Sequence, residues 1–244
     1  MKADPADQAR LLDLQELDNH LAQITKKSKS LPEAEALDAL SAELTAAKET
    51  QREKLGSVDE LTAEVKRCES DVELVEARIA KDAERLDHTS SAKDAQGLEH
   101  ELQSLRERLA ALEEVELEVM ERLEQAQSEL SGADQAVTEL TSRVDEATKA
   151  LDAAKAELEA DYQATTAQRA AITAGIPADL LGLYEKQRER YGFGASLLRR
   201  GISSASGVTL TESDLAEVRS AAPDDVLLCP DSNAILVRTS ESGI

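Results

Sequence analysis

Apolar residues recur along this chain at alternating steps of three and four, and few folds tolerate that pattern. From Leu37 the steps run through Leu40, Leu44, Val58, Leu61, Val65 and Val75 to Leu86, and twelve of 15 positions are apolar. From Leu98 to Leu158 the same steps meet 17 apolar residues in 18. A repeat averaging 3.5 residues keeps one helix stripe facing a partner and winds helices into a left-handed coiled coil. The charged residues fall mostly between these positions.

The helix ends are marked in the sequence. Asp4-Pro5 offers an N-cap followed by proline at the first helical position. Ser91-Ala92-Lys93-Asp94 has the spacing of a capping box, with Asp in place of Glu. Gly175 and Pro177 stop the second helix. Helices are therefore expected from about 5 to 87 and from about 93 to 174, joined by a short polar turn near 88–93. So short a turn makes them antiparallel, with residue i near residue 184 − i. Leu14, Leu17, Leu21, Ile24 and Leu31 keep a separate phase, and Pro32 removes a helical hydrogen bond, so a kink or short break is expected near 28–32. Residues 1–175 thus read as one antiparallel coiled-coil hairpin.

From Gly175 onward the composition shifts. Seven of the ten glycines, three of the five prolines and three of the four aromatics lie there. Residues 176–244 carry ten acidic and seven basic residues, so most of the net charge of −22 belongs to the hairpin. ADLLGLYEKQRERY, residues 178–191, reads as a short amphipathic helix. GFGASLLRRG reads as a loop or extended segment. VTLTESDLAEVRSA reads as a brief strand leading into a helix, and VLLCPDSNAILVRT as a β-hairpin turning at Pro230–Asn233. About 70 residues with few aromatics make a marginal domain alone, so this tail is expected to lean on the open end of the hairpin.

Three stretches resemble a known family. They are SSAKDAQGLEHELQSLRERLAALEEVELEVMERLE after the turn, LLGLYEKQRERYGFGASLLRRG before the tail, and the spacing of the tail itself. The family is that of bacterial coiled-coil hairpin proteins with a C-terminal C4-type zinc ribbon. The resemblance implies a mainly α fold: a long antiparallel hairpin followed by a small zinc-ribbon-like α+β domain. It also implies regulatory or nucleic-acid-binding adaptors, some serving flagellar or secretion systems and an alternative sigma factor. Aligned on the family, the ligand positions are Ser203, Ser206, Cys229 and Ser232, spaced S-x2-S-x22-C-x2-S. Serine is a poor zinc ligand, so no zinc and no other cofactor is expected, and the tail is expected to keep its fold without metal.

Signs of catalysis are scarce. His20, His88 and His100 lie on or beside the long helices with no ligand spacing around them, and Gly192-Phe193-Gly194 lacks the context of a phosphate loop. Paired carboxylates carry no information in a chain with 50 acidic residues. The expectation is a non-enzymatic protein without a small-molecule substrate. One segment runs against the acidic trend. Lys186, Arg188, Arg190, Arg199 and Arg200 interleave with Tyr184, Tyr191 and Phe193, a composition shared by protein hot spots and nucleic-acid contacts. The primary reading is an adaptor that engages a partner protein, as a monomer or homodimer; the alternative is a nucleic-acid-binding regulator using residues 184–200. No apolar run has the length of a signal peptide or a membrane span, and the expected compartment is the cytoplasm.

Overall fold

The structure, a computed structural model, describes residues 1–243. Its elements divide between two units, one of Glu35–Lys149 and one of Met1–Ala34 with Ala150–Ile244.

The first unit holds most of α2 (Pro32–His88) and the first part of α3 (Ala92–Thr173). They pair antiparallel in the expected register. Leu61, Val65, Val119 and Ala126 are buried together, with Val58, Cys68 and Leu123 packed against them. The three polar residues on the α2 stripe each have a reason to be there. Gln51 Nε2 donates to Asp134 at 2.7 Å, and Lys54 Nζ to Glu129 at 2.6 Å. Asp82 is fully buried and accepts from Arg78 Nε at 2.6 Å and Arg85 Nη1 at 3.0 Å. Burial pushes the Asp82 carboxyl up, but the two guanidiniums outweigh it and hold it below the usual carboxylate range. At the turn, the Asp94 backbone N–H donates to Ser91 Oγ at 3.4 Å, the expected cap.

This register has a direct test. In a background of Cys68→Ala and Cys229→Ser, Leu61→Cys with Leu123→Cys should crosslink within one chain. Only intermolecular products on a reducing and non-reducing gel pair would reject the hairpin.

The second unit begins with α1 (Pro5–Ser28), capped by Asp4, whose carboxylate accepts from the Ala6 N–H at 2.8 Å. The expected kink or short break is a break: α1 ends at Ser28, and α2 starts afresh with Pro32 as its first residue. Ser30 and Glu33, at capping-box spacing around Pro32, do not bond to each other. Ser30 Oγ donates instead to the Lys26 carbonyl at 3.4 Å, which also accepts from the Lys29 N–H at 3.2 Å at the end of α1. α1 lies along the end of α3, where His20 Nε2 is 3.0 Å from the Asp161 carboxylate.

Beyond α3 come α4 (Ala178–Tyr191), β1 (Ala195–Arg199), β2 (Ile202–Ser203), α5 (Glu212–Ser220), β3 (Leu227–Leu228) and β4 (Ile235–Val237). The sheet order is β2-β1-β4-β3, with β1 parallel to β4 and the other pairs antiparallel. Arg200 and Gly201 both have positive φ, 49° and 80°. That is the two-residue turn whose twist suits a tight hairpin. The helix over 178–191 and the hairpin around Pro230–Asn233 are where the sequence places them. The expected strand at 208–210 is not a strand: Thr209 makes a single bridge to Ile202, and the pairing strand is β2 instead.

The sheet is covered on both faces. Ile235 and Val237 pack with Leu11, Leu14, Leu180 and Tyr184. Leu198 and Leu236 pack with Leu210, Leu215, Val218 and Cys229. The first of these clusters answers the weakness of a short tail with few aromatics. The tail's core is completed by α1, so Gly175 is not a packing boundary, and Leu14 turns toward the sheet.

Candidate interaction surface

What α1 offers the sheet besides Leu11 and Leu14 is two buried polar side chains, Gln15 and Asp18. Gln15 Oε1 accepts from the backbone N–H groups of Gly194 at 2.7 Å and Ala195 at 3.1 Å. Asp18 accepts from Tyr184 Oη at 2.7 Å, from Arg169 Nε and Nη2 at 2.7 and 3.2 Å, and from Arg188 Nη1 at 3.3 Å. Glu185 closes the group by accepting from Arg169 and Arg188. Burial and the bond to Asp18 push the Tyr184 phenol well above its usual range, so it stays a donor. Hydrogen bonds to Asp18 and Glu185 raise the Arg169 guanidinium further, against burial. One carboxylate therefore ties α1, α3 and α4 together. Bidentate, charge-assisted bonds of this kind are the strong ones.

The GFG segment has a structural reason. Gly192 takes φ 87° at the left-handed C-cap of α4. At Gly194 an added Cβ would overlap the Tyr184 ring. Gly194→Ala should therefore cost about 1–3 kcal/mol, the usual range for overpacking, read as a lowered denaturant midpoint of the full chain. An unchanged midpoint would mean that Tyr184 moves aside freely.

This network divides the basic and aromatic residues singled out above. Tyr184 is fully buried, and Arg188 is half-buried and bound to Asp18 and Glu185. Both serve the interior. Lys186, Arg190, Tyr191 and Phe193 are exposed around the C-terminal end of α4. Arg190 lies over the Tyr191 ring, 5.4 Å from its centroid. Arg199 and Arg200 sit at the other end of β1, about 13 Å along the strand. Arg199 pairs with Glu241 at 3.1 Å. The structure thus gathers four of the eight residues into one surface and leaves Arg199 and Arg200 apart. Asp18, Gln15 and Arg169 were missed in the sequence. Their signal was the width of the α1 apolar face, where Leu11, Leu12, Leu14, Leu17 and Leu21 exceed a two-position coiled-coil stripe.

The four ribbon-ligand positions also have definite places. Ser203 and Cys229 are fully buried, and Ser203 Oγ is 2.7 Å from Ser196 Oγ. Burial pushes the Cys229 thiol up. Hydrogen bonds from the Ser203 and Ser232 hydroxyls and from the Ser232 and Asp231 backbone outweigh it and hold the thiol below its usual value. Ser206 Oγ accepts from the Val208 N–H at 3.2 Å within its own turn. One thiol among hydroxyls is the wrong donor set for zinc. Among the described residues, no three His, Cys, Asp or Glu side chains are grouped to hold a metal. No helix there is long and apolar enough to cross a membrane.

A family model described as the CT398-like coiled coil hairpin domain matches residues 14–192. The chain belongs to this family. A CT398-like relative, an uncharacterised protein of Mycobacterium tuberculosis, is 36% identical over 241 residues, 98% of each chain. A solved structure from Mycobacterium smegmatis is also 36% identical, with a TM-score of 0.83 over 98% of this chain and 100% of that one. CT398 of Chlamydia trachomatis shares the fold at 15% identity, with a TM-score of 0.61 over 96% of this chain and 98% of its own. The CT398-like match ends at Gly192, so it takes in the whole of α4 and stops before β1.

Proposed function

We propose that this protein is a non-enzymatic cytoplasmic adaptor, whose paired helices carry a small docking unit to a partner protein. The observation that carries the reading is the exposed group Lys186, Arg190, Tyr191 and Phe193. In a chain of net charge −22 with four aromatics in all, two unpaired cations and two exposed aromatics share one surface. Arg and Tyr are the residues that most often dominate protein interfaces. The Asp18 group supports the reading by fixing α4, and surfaces that are rigid beforehand bind at lower entropic cost. The tail in this reading is a ribbon that folds without zinc, with the Ser196 and Ser203 hydroxyls bonded to each other and Cys229 fully buried among the former ligand positions.

The test is capture from a native lysate on immobilised full-length protein. Lys186→Glu with Arg190→Glu should release the captured partner while helical circular dichroism stays unchanged. Capture that is indifferent to this pair of changes would remove the surface from consideration. Nucleic acid is the second reading, favoured by the stacking of Arg190 on Tyr191. It requires binding of RNA or DNA that falls steeply with salt, with a log–log slope reduced by about 2 in the same variant.

A further inference from the structure

One face of α3 is left out of the hairpin's own interactions. Glu113, Leu117, Met120 and Glu124 follow at steps of four, three and four, a single helix stripe turned away from buried Val119. Leu117 is 62% exposed and Met120 48%. Glu114 and Glu121 flank the pair. The ion pairs from α3 to α2 use Glu101, Arg122, Glu129 and Arg143 instead. A lone exposed Leu is ordinary. Two large apolar side chains in succession on one stripe, ringed by four glutamates with no cation on them, make a surface with a definite complement. That complement is cationic, with large apolar groups between the charges.

The chain itself carries that complement, in Lys186, Arg190, Tyr191 and Phe193. We infer that the 113–124 stripe is a docking site for the α4 surface of a second copy of this chain. The inference rests on the reading of that surface given under the proposed function. Lys186 and Arg190 meet the glutamates, and Tyr191 and Phe193 cover Leu117 and Met120. A methionine sulfur against an aromatic ring is itself favourable. Opposite charge across the contact sets the partner, and like charge rejects wrong pairings. When each copy gives its α4 surface to the other's stripe, the contact is reciprocal and closes as a two-fold dimer. The charged rims are exposed, so the association is weak and sensitive to salt.

Sedimentation equilibrium of the full chain tests this. The wild type should show a monomer–dimer equilibrium whose dissociation constant weakens about tenfold between about 0.05 and about 0.5 M salt. One variant, Glu113→Lys with Glu121→Lys and Glu124→Lys, reverses the stripe. Another, Lys186→Glu with Arg190→Glu, reverses the α4 surface. Each alone should be monomeric where the wild type dimerises, and an equal mixture of the two should dimerise again. All the changed residues are exposed, so helical circular dichroism should hold throughout. Dimerisation that survives either reversal, or a mixture that stays monomeric, overturns the inference. A monomeric wild type overturns it too. If the Lys186→Glu/Arg190→Glu variant then still loses a captured partner, the adaptor reading stands without the dimer.

Discussion

Asp18→Ala should destabilise the unit formed by α1, the end of α3 and the tail by about 3–5 kcal/mol, the cost of breaking a buried ion pair from one side. The carboxylate has a side-chain exposure of 4% and takes four hydrogen bonds. Removing it leaves Arg169 and Arg188 sharing Glu185 and leaves the Tyr184 hydroxyl buried without its main acceptor. Asp18→Asn keeps one acceptor oxygen for Tyr184 but loses the charge and puts an NH2 donor against the Arg169 guanidinium; its cost should still be smaller, about 1–3 kcal/mol, because the site stays filled. Denaturant unfolding of the full chain supplies the numbers, and limited proteolysis should show the tail opening first. A loss under about 1 kcal/mol for Asp18→Ala would reduce the group to an ordinary solvated ion pair. A double-mutant cycle with Arg169→Met separates the pair from the rest, because neighbours in one network do not add.

The parts of this fold that were legible beforehand are those fixed by local spacing. The stripe from Leu98 to Leu158 needs only its 3.5-residue repeat, and the Ser91 helix start and the interruption beside Pro32 need only their immediate neighbours. The short helix over 178–191 was legible for the same reason. What stayed hidden depends on pairings across the chain. The parallel match of β1 with β4 joins residues about 40 apart, and nothing in ASLLR or ILV specifies it. Asp18 is one acid among 50, and a buried carboxylate looks like a surface one until its partners are placed. Tyr184 and Tyr191 look alike beside their arginines. They separate because Leu180, Tyr184 and Gln187 form the buried stripe of α4, while Tyr191 is its last residue. The four clustered surface residues were legible as a composition. Their separation from Arg199 and Arg200 was not, because it follows from β1 being extended.

Ser203→Cys with Ser206→Cys and Ser232→Cys should convert the tail into a zinc site holding one ion per chain. The wild type should carry well under one zinc, and a chelator should leave its tail's protease resistance unchanged. Ser203 and Cys229 are both fully buried, and the Ser203 and Ser232 hydroxyls help to hold the Cys229 thiol below its usual value. Ser206 lies three residues from Ser203 on a turn closed by the Gly207 N–H to the Ser203 carbonyl at 2.8 Å. Thiolates at those positions would exchange a buried hydroxyl cluster for metal bonds. Structural zinc sites in peptides contribute about 10 kcal/mol or more at neutral pH. Part of that would be lost here in displacing Ser196 from Ser203 and in fitting larger sulfur atoms where both residues are fully buried. The net gain should still appear as a large zinc-dependent rise in unfolding midpoint, reversed by chelation. Metal analysis showing stoichiometric zinc in the wild type would contradict the reading of a metal-free tail. A triple variant without zinc would mean that Ser206 is turned away for good, with the hydroxyl cluster setting a geometry of its own.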